Sequence, residues 1–150
     1  MTPEQIALVQ DSAGRIHERL AEVTSGFYRR LFAANPELRT MFPLDLVLQE
    51  QKFADELDTI VRAIPDFPRF LHQVRALGAR HAGYGTRVTH YAEVRKALLQ
   101  SLADTLGPEW TTDVEEAWQA AYDMVAEVMM LGGATTAVRP TIAGRTASSS

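Results

Sequence analysis

Four apolar stripes at helical spacing dictate what this chain can fold into. Leu20, Val23, Phe27 and Leu31 recur every three or four residues, as do Phe53, Leu57, Ile60, Val61 and Ile64. Tyr91, Val94, Leu98 and Leu102 form a third stripe, and Val114, Trp118, Tyr122, Val125 and Met129 a fourth. At about 100° per residue such positions share one face of an α-helix, whereas a half-buried strand alternates with period two. No segment alternates for long enough to make a strand. The pattern predicts an all-α chain.

Proline, glycine and asparagine set the predicted helix limits. Thr2-Pro3-Glu4-Gln5 opens a first helix that runs to about residue 18, and a second spans about 20–34. Asn35-Pro36 starts a short helical turn that ends near Phe42-Pro43. Further helices are predicted over about 46–64, 68–82, 89–106 and 111–131. They stop at Pro65, Gly83-Tyr84-Gly85, Gly107-Pro108 and Gly132-Gly133 respectively. Residues 134–150 are small, polar and proline-bearing, and are expected to form a disordered tail behind one folded domain over 1–133. A chain of 150 residues suits one domain. It buries roughly two-thirds of its unfolded surface, enough for a core and a cavity.

Composition narrows the chemistry. There is no cysteine, which excludes disulfides, thiolate zinc sites, iron–sulfur clusters and cysteine nucleophiles. The formal net charge of -4 argues against nucleic acid and anionic membrane surfaces as partners. The first residues lack a basic segment followed by an apolar run, and no stretch approaches the ~20 apolar residues that span a bilayer. A cytoplasmic location is expected.

Histidine is then the obvious metal ligand, and there are four: His17, His72, His81 and His90. His17 and His90 are read as solvated. His72 and His81 lie about 180° apart on one helix and cannot serve one metal from one face. His81 continues the Val74–Leu77 stripe into the last helical turn. It is either a core histidine satisfied by a backbone carbonyl or an axial ligand whose second nitrogen makes that bond. One histidine cannot build a zinc site, but it is enough for haem, whose porphyrin supplies four nitrogens.

Other side chains carry paired readings too. Gln49 lies one turn before Phe53 on the inward face, and either enters a cavity or frays into solvent. Tyr28 sits beside Phe27, and its hydroxyl either caps a carbonyl or meets a bound ligand. Phe42 is core or a wedge against a flat ring.

These residues together resemble a known family. Phe27-Tyr28-Arg29-Arg30-Leu31-Phe32, Asn35-Pro36-Glu37-Leu38 with Met41-Phe42-Pro43, Arg80-His81 with Tyr91, and Ala117-Trp118-Gln119-Ala120-Ala121-Tyr122 occur in order. The chain resembles the globin domain of bacterial flavohaemoglobins and their single-domain haemoglobin relatives over roughly residues 4–131. The resemblance implies a globin fold, six to eight helices around a haem pocket.

It also implies roles, position by position. His81 matches the proximal ligand of haem b (iron protoporphyrin IX), and Tyr28 the distal tyrosine that hydrogen-bonds the bound gas. Gln49 matches the distal glutamine. Phe53 takes an apolar distal position where the family usually has leucine, and its larger ring is expected to narrow access. Phe42 matches the phenylalanine packed on haem, and Tyr91 matches the proximal tyrosine. Leu77, one turn before His81 on the same stripe, is a further candidate cofactor contact. Many flavohaemoglobins place a glutamate behind the proximal histidine, and ungapped alignment puts Gly133 there.

The implied ligands are oxygen, nitric oxide and carbon monoxide. The implied activities are reversible gas binding and, with an external reductase, nitric oxide dioxygenation, in a monomer or homodimer. A haem-based gas or redox sensor acting through a partner is the rival reading. A cofactor-free helical interaction domain keeps every helix but gives Tyr28, Gln49 and His81 no role.

Overall fold

The computed structural model describes residues 1–83 and 88–143, with side chains for 1–83 and 89–133. Among these residues there is no strand. Six α-helices follow one another: α1 (Pro3–Arg15), α2 (Leu20–Ala34), α3 (Val47–Ala63), α4 (Phe67–Gly83), α5 (Val88–Leu106) and α6 (Thr112–Ala143). Short 3-10 turns cover His17–Arg19, Pro36–Met41 and Gly107–Glu109.

Local chemistry explains the boundaries. Thr2 and Gln5 form a capping box at α1: the Gln5 backbone donates to Thr2 Oγ1 at 3.1 Å, and the Thr2 backbone to Gln5 Oε1 at 3.0 Å. The first helix closes at Arg15, earlier than its predicted end, and a 3-10 turn carries the chain into α2. Asp45 Oδ1 accepts from the Val47 backbone at 3.0 Å as α3 begins. Thr111 Oγ1 accepts from the Val114 backbone at 3.2 Å and caps α6. Between α5 and α6 the chain turns at Gly107, whose φ of 57° is open to glycine at little cost.

Packing follows the stripes. Val23, Phe27 and Leu31 of α2, Leu57 and Val61 of α3, Val74 and Leu77 of α4, and Leu98 and Leu102 of α5 are all buried. So are Val114, Trp118 and Met129 of α6. Trp118 Nε1 donates to the buried Ser12 Oγ at 2.9 Å, and Ser12 Oγ donates to Leu8 O at 2.6 Å. The indole N–H thus finds a partner inside the core and ties α6 to α1.

Helix α4 packs most extensively on α6, and glycine makes that possible. A Cβ on Gly78 would fall 2.0 Å from Met129 O, and one on Gly132 would fall 2.1 Å from Arg75 O. Backbone lies against backbone in both directions. Gly132-Gly133, predicted to end the last helix, instead lie within α6, which continues to Ala143. The predicted tail therefore begins inside a helix; residues 144–150 lie outside the described residues, as do Tyr84 and Gly85 of the predicted stop after α4.

Candidate functional site

Four of the seven residues singled out in the sequence come together where α2, α3 and the chain between them meet. Tyr28 is buried in α2. Its ring meets Phe27 at 4.8 Å between centroids, Phe42 at 5.5 Å, and both Phe32 and Phe53 at 5.8 Å. Edge-on contacts dominate, as aromatic quadrupoles favour. Phe53 packs against Phe27 at 4.6 Å with the two rings tilted by 34°, so its ring is anchored to α2.

The Tyr28 hydroxyl accepts a hydrogen bond from Gln49 Nε2 at 3.1 Å. Gln49 stands one turn before Phe53 on α3, so the stripe that supplies the aromatic ring also supplies the amide. Burial pushes the Tyr28 phenol up to about 12, with the Gln49 bond opposing the rise and nearby Glu50 adding to it. Tyr28 is therefore a neutral phenol at physiological pH. Because Gln49 gives a proton to its oxygen, the phenolic hydrogen is left to donate elsewhere.

Phe42 is held in place by a residue the sequence reading passed over. Arg39 donates to the carbonyls of Phe42 at 3.4 Å, Pro43 at 2.8 Å and Leu44 at 2.9 Å. Its guanidinium also lies 5.4 Å from the Phe32 ring centroid. One cation thus fixes the chain reversal that carries Phe42 against Tyr28.

His81 and Leu77 share a face of α4. His81 Nδ1 lies 3.0 Å from Leu77 O. A carbonyl oxygen can only accept, so Nδ1 carries the proton and Nε2 carries the lone pair. Burial lowers the His81 pKa, and this outweighs the opposing effects of the Leu77 bond and Glu56. The ring is neutral at physiological pH, the form that binds metals. Arg80 Nη2 meets Glu56 Oε1 at 3.3 Å, joining α4 beside His81 to the α3 stripe that carries Gln49 and Phe53.

Tyr91 lies elsewhere in this arrangement, half-buried where α5 meets α6, with its backbone carbonyl accepting from Tyr122 at 2.6 Å. Position 133 faces the last turn of α4: a Cβ there would lie 3.3 Å from Ala82 Cβ and 3.7 Å from Gly78 O. The other histidines are apart from the site. His17 is exposed near Asp58, and His72 is exposed. His90 is half-buried rather than solvated as expected, because it lies inside the first turns of α5.

The donor set fits haem. Among the described residues no three His, Cys, Asp or Glu side chains gather as a metal site. A single neutral imidazole with a fixed tautomer is what a porphyrin-bound iron requires. Phe42, Phe53, Ile60, Tyr91 and Val94 pack on the core while staying only partly covered, the kind of surface an apolar macrocycle would cover.

Fold and site together define a haem-type globin, and comparison with known proteins agrees. A family model for globins matches residues 25–129. The chain belongs to the globin family. It is 33% identical over 133 residues to a flavohemoprotein of Bordetella pertussis, covering 87% of this chain and 33% of that protein. A flavohemoprotein of Chromobacterium violaceum is 31% identical over 140 residues, covering 87% of this chain and 35% of that one. The chain thus spans about a third of the length of these relatives. Among solved structures, an engineered carbene transferase, a candidate nitric oxide dioxygenase from Rhodothermus marinus, superposes with a TM-score of 0.81 at 26% identity. That match covers 96% of this chain and 99% of the other. No helix of the described residues is long and apolar enough to cross a membrane.

Proposed function

We propose that this globin binds haem b through His81 and uses Tyr28 and Gln49 to hold oxygen, nitric oxide or carbon monoxide. The observation that carries the reading is the Gln49–Tyr28 hydrogen bond, 3.1 Å long and walled by Phe27, Phe42 and Phe53. A buried phenol that accepts from Gln49 keeps its own proton for a ligand. When bound, the haem iron supplies the site for a diatomic gas and the electrons exchanged with it.

The chain's own residues do the rest. Leu77 O fixes the His81 ring, so that Nε2 would be the atom to hold the haem iron. Phe42 and Phe53 exclude water from the Tyr28 hydroxyl, which strengthens any hydrogen bond it donates. Such a bond to a ligand carrying partial negative charge contributes about 1.5–3 kcal/mol. The Phe53 ring, larger than the leucine usual at this position, narrows the approach. The name of the Rhodothermus protein leads us to infer nitric oxide dioxygenation. On this reading a separate reductase would supply the electrons, and the protein would act in the cytoplasm. The protein would act as a monomer or homodimer.

The test is to add nitric oxide to haem-loaded protein under air with a reductant, and to follow nitrate. Nitrate forms faster than with free haem, and more slowly in Tyr28→Phe, if the reading holds. A wild-type rate equal to that of free haem removes the dioxygenase assignment.

A further inference from the structure

A separate cleft of about 470 Å³ opens along α2 and α5, on the stretch of α2 just before Tyr28. Its floor is Gly26. A Cβ there would lie 2.6 Å from Ser101 Oγ, which is buried and already donates to Val23 O at 2.7 Å. The same point lies 3.3 Å from Arg30 Nη1 and 3.6 Å from Arg29 Nη2. Side chains three and four residues on lean back toward the start of a helix, so both guanidinium groups fold over Gly26. Two cations converge on the space a side chain would otherwise fill.

The surrounding charges do not cancel them. Arg30 Nη2 pairs with Asp104, and at the rim Arg19 Nε meets Glu22 Oε2 at 3.3 Å. Arg29 is exposed and makes no ion pair with a described side chain. Three arginines face two carboxylates, which leaves one uncompensated positive charge in a chain of net charge -4. Convergent guanidinium donors match the oxygens of a planar or tetrahedral anion, and such charge-assisted bonds are the stronger kind.

We propose that this cleft is an oxyanion-binding site, in which Arg29 Nη2 and Arg30 Nη1 grip one anion above Gly26. The ligand class is a small oxyanion, nitrate or phosphate. The site is independent of the haem assignment.

Isotope-labelled full-length protein is titrated with sodium phosphate and, separately, with sodium nitrate, while chloride holds the ionic strength constant. The backbone amide signals of Gly26 and Thr105 are followed. The expected result is a saturable 1:1 shift for at least one anion, and the tighter of the two identifies the source. Arg29→Gln weakens binding at least fivefold, Arg29→Lys weakens it less, and Arg69→Gln on α4 leaves it unchanged. Asp104→Asn, which releases Arg30 from its carboxylate, tightens it. Shifts that never saturate with either anion overturn the proposal. So does a dissociation constant unmoved by both Arg29→Gln and Asp104→Asn.

Discussion

Gln49 Nε2 donates to the Tyr28 hydroxyl at 3.1 Å, and that direction decides what Tyr28 can do. An amide that accepted the phenolic proton would satisfy Tyr28 and leave nothing for a ligand. An amide that donates orients the hydroxyl and leaves its proton to give. Tyr28→Phe should therefore speed oxygen release by about one to two decades, the equivalent of about 1.5–3 kcal/mol. Gln49→Leu, which removes the orienting group alone, should have a smaller effect in the same direction. Stopped-flow oxygen displacement measures both.

Alkaline titration reports the burial of the same phenol. The Tyr28 pKa is raised from 10.0 to about 12 in the folded chain, and burial holds Tyr122 higher as well. A raised folded pKa means that the folded state keeps its proton while the unfolded state loses it. The stability this provides is intact below pH 10 and is lost as pH rises toward 12. Tyr28→Phe should flatten the fall in stability across that window, as measured by chemical denaturation at successive pH values.

Two glycine substitutions should move stability in opposite directions. Gly132→Ala would drive a Cβ to 2.1 Å from Arg75 O and force α4 and α6 apart. The expected cost is about 1–3 kcal/mol. Gly14 sits in α1 with nothing within 4 Å of an added Cβ, so Gly14→Ala should stabilise the chain by about 0.5–1 kcal/mol. Urea denaturation of both variants separates packing from helix propensity.

The corner before α3 gives a third stability test. Arg39→Gln removes a guanidinium that donates to Phe42, Pro43 and Leu44 carbonyls. The corner is partly exposed, so the loss in global stability should be on the order of 1 kcal/mol. Phe42 loses its brace, and haem should transfer to an acceptor apoglobin several times faster than from wild type.

The helices were legible in the sequence because 3.6-residue periodicity and Pro/Gly punctuation are local signals. What local signals mistook was glycine in the fourth stripe. Gly132-Gly133 reads as a helix end because glycine is a poor helix former, yet Gly132 serves as the groove that admits the α4 backbone. Gly78, inside the Val74–His81 stripe, was the matching clue: each glycine accommodates the other helix. Arg39 was missed for a different reason. An arginine in a short helical turn reads as solvated until the chain reversal brings three carbonyls to it. Tyr28 and Gln49 could each be singled out, but their hydrogen bond joins positions 21 residues apart and needs the packing of α2 on α3.

The His81 imidazole is the most direct test of the whole account. Haem-reconstituted wild type should bind one haem per chain and show an intense Soret band. His81→Ala, with helicity intact, should lose it or shift it to the spectrum of loosely held haem. An unchanged spectrum in His81→Ala would place the ligand elsewhere and contradict the assignment.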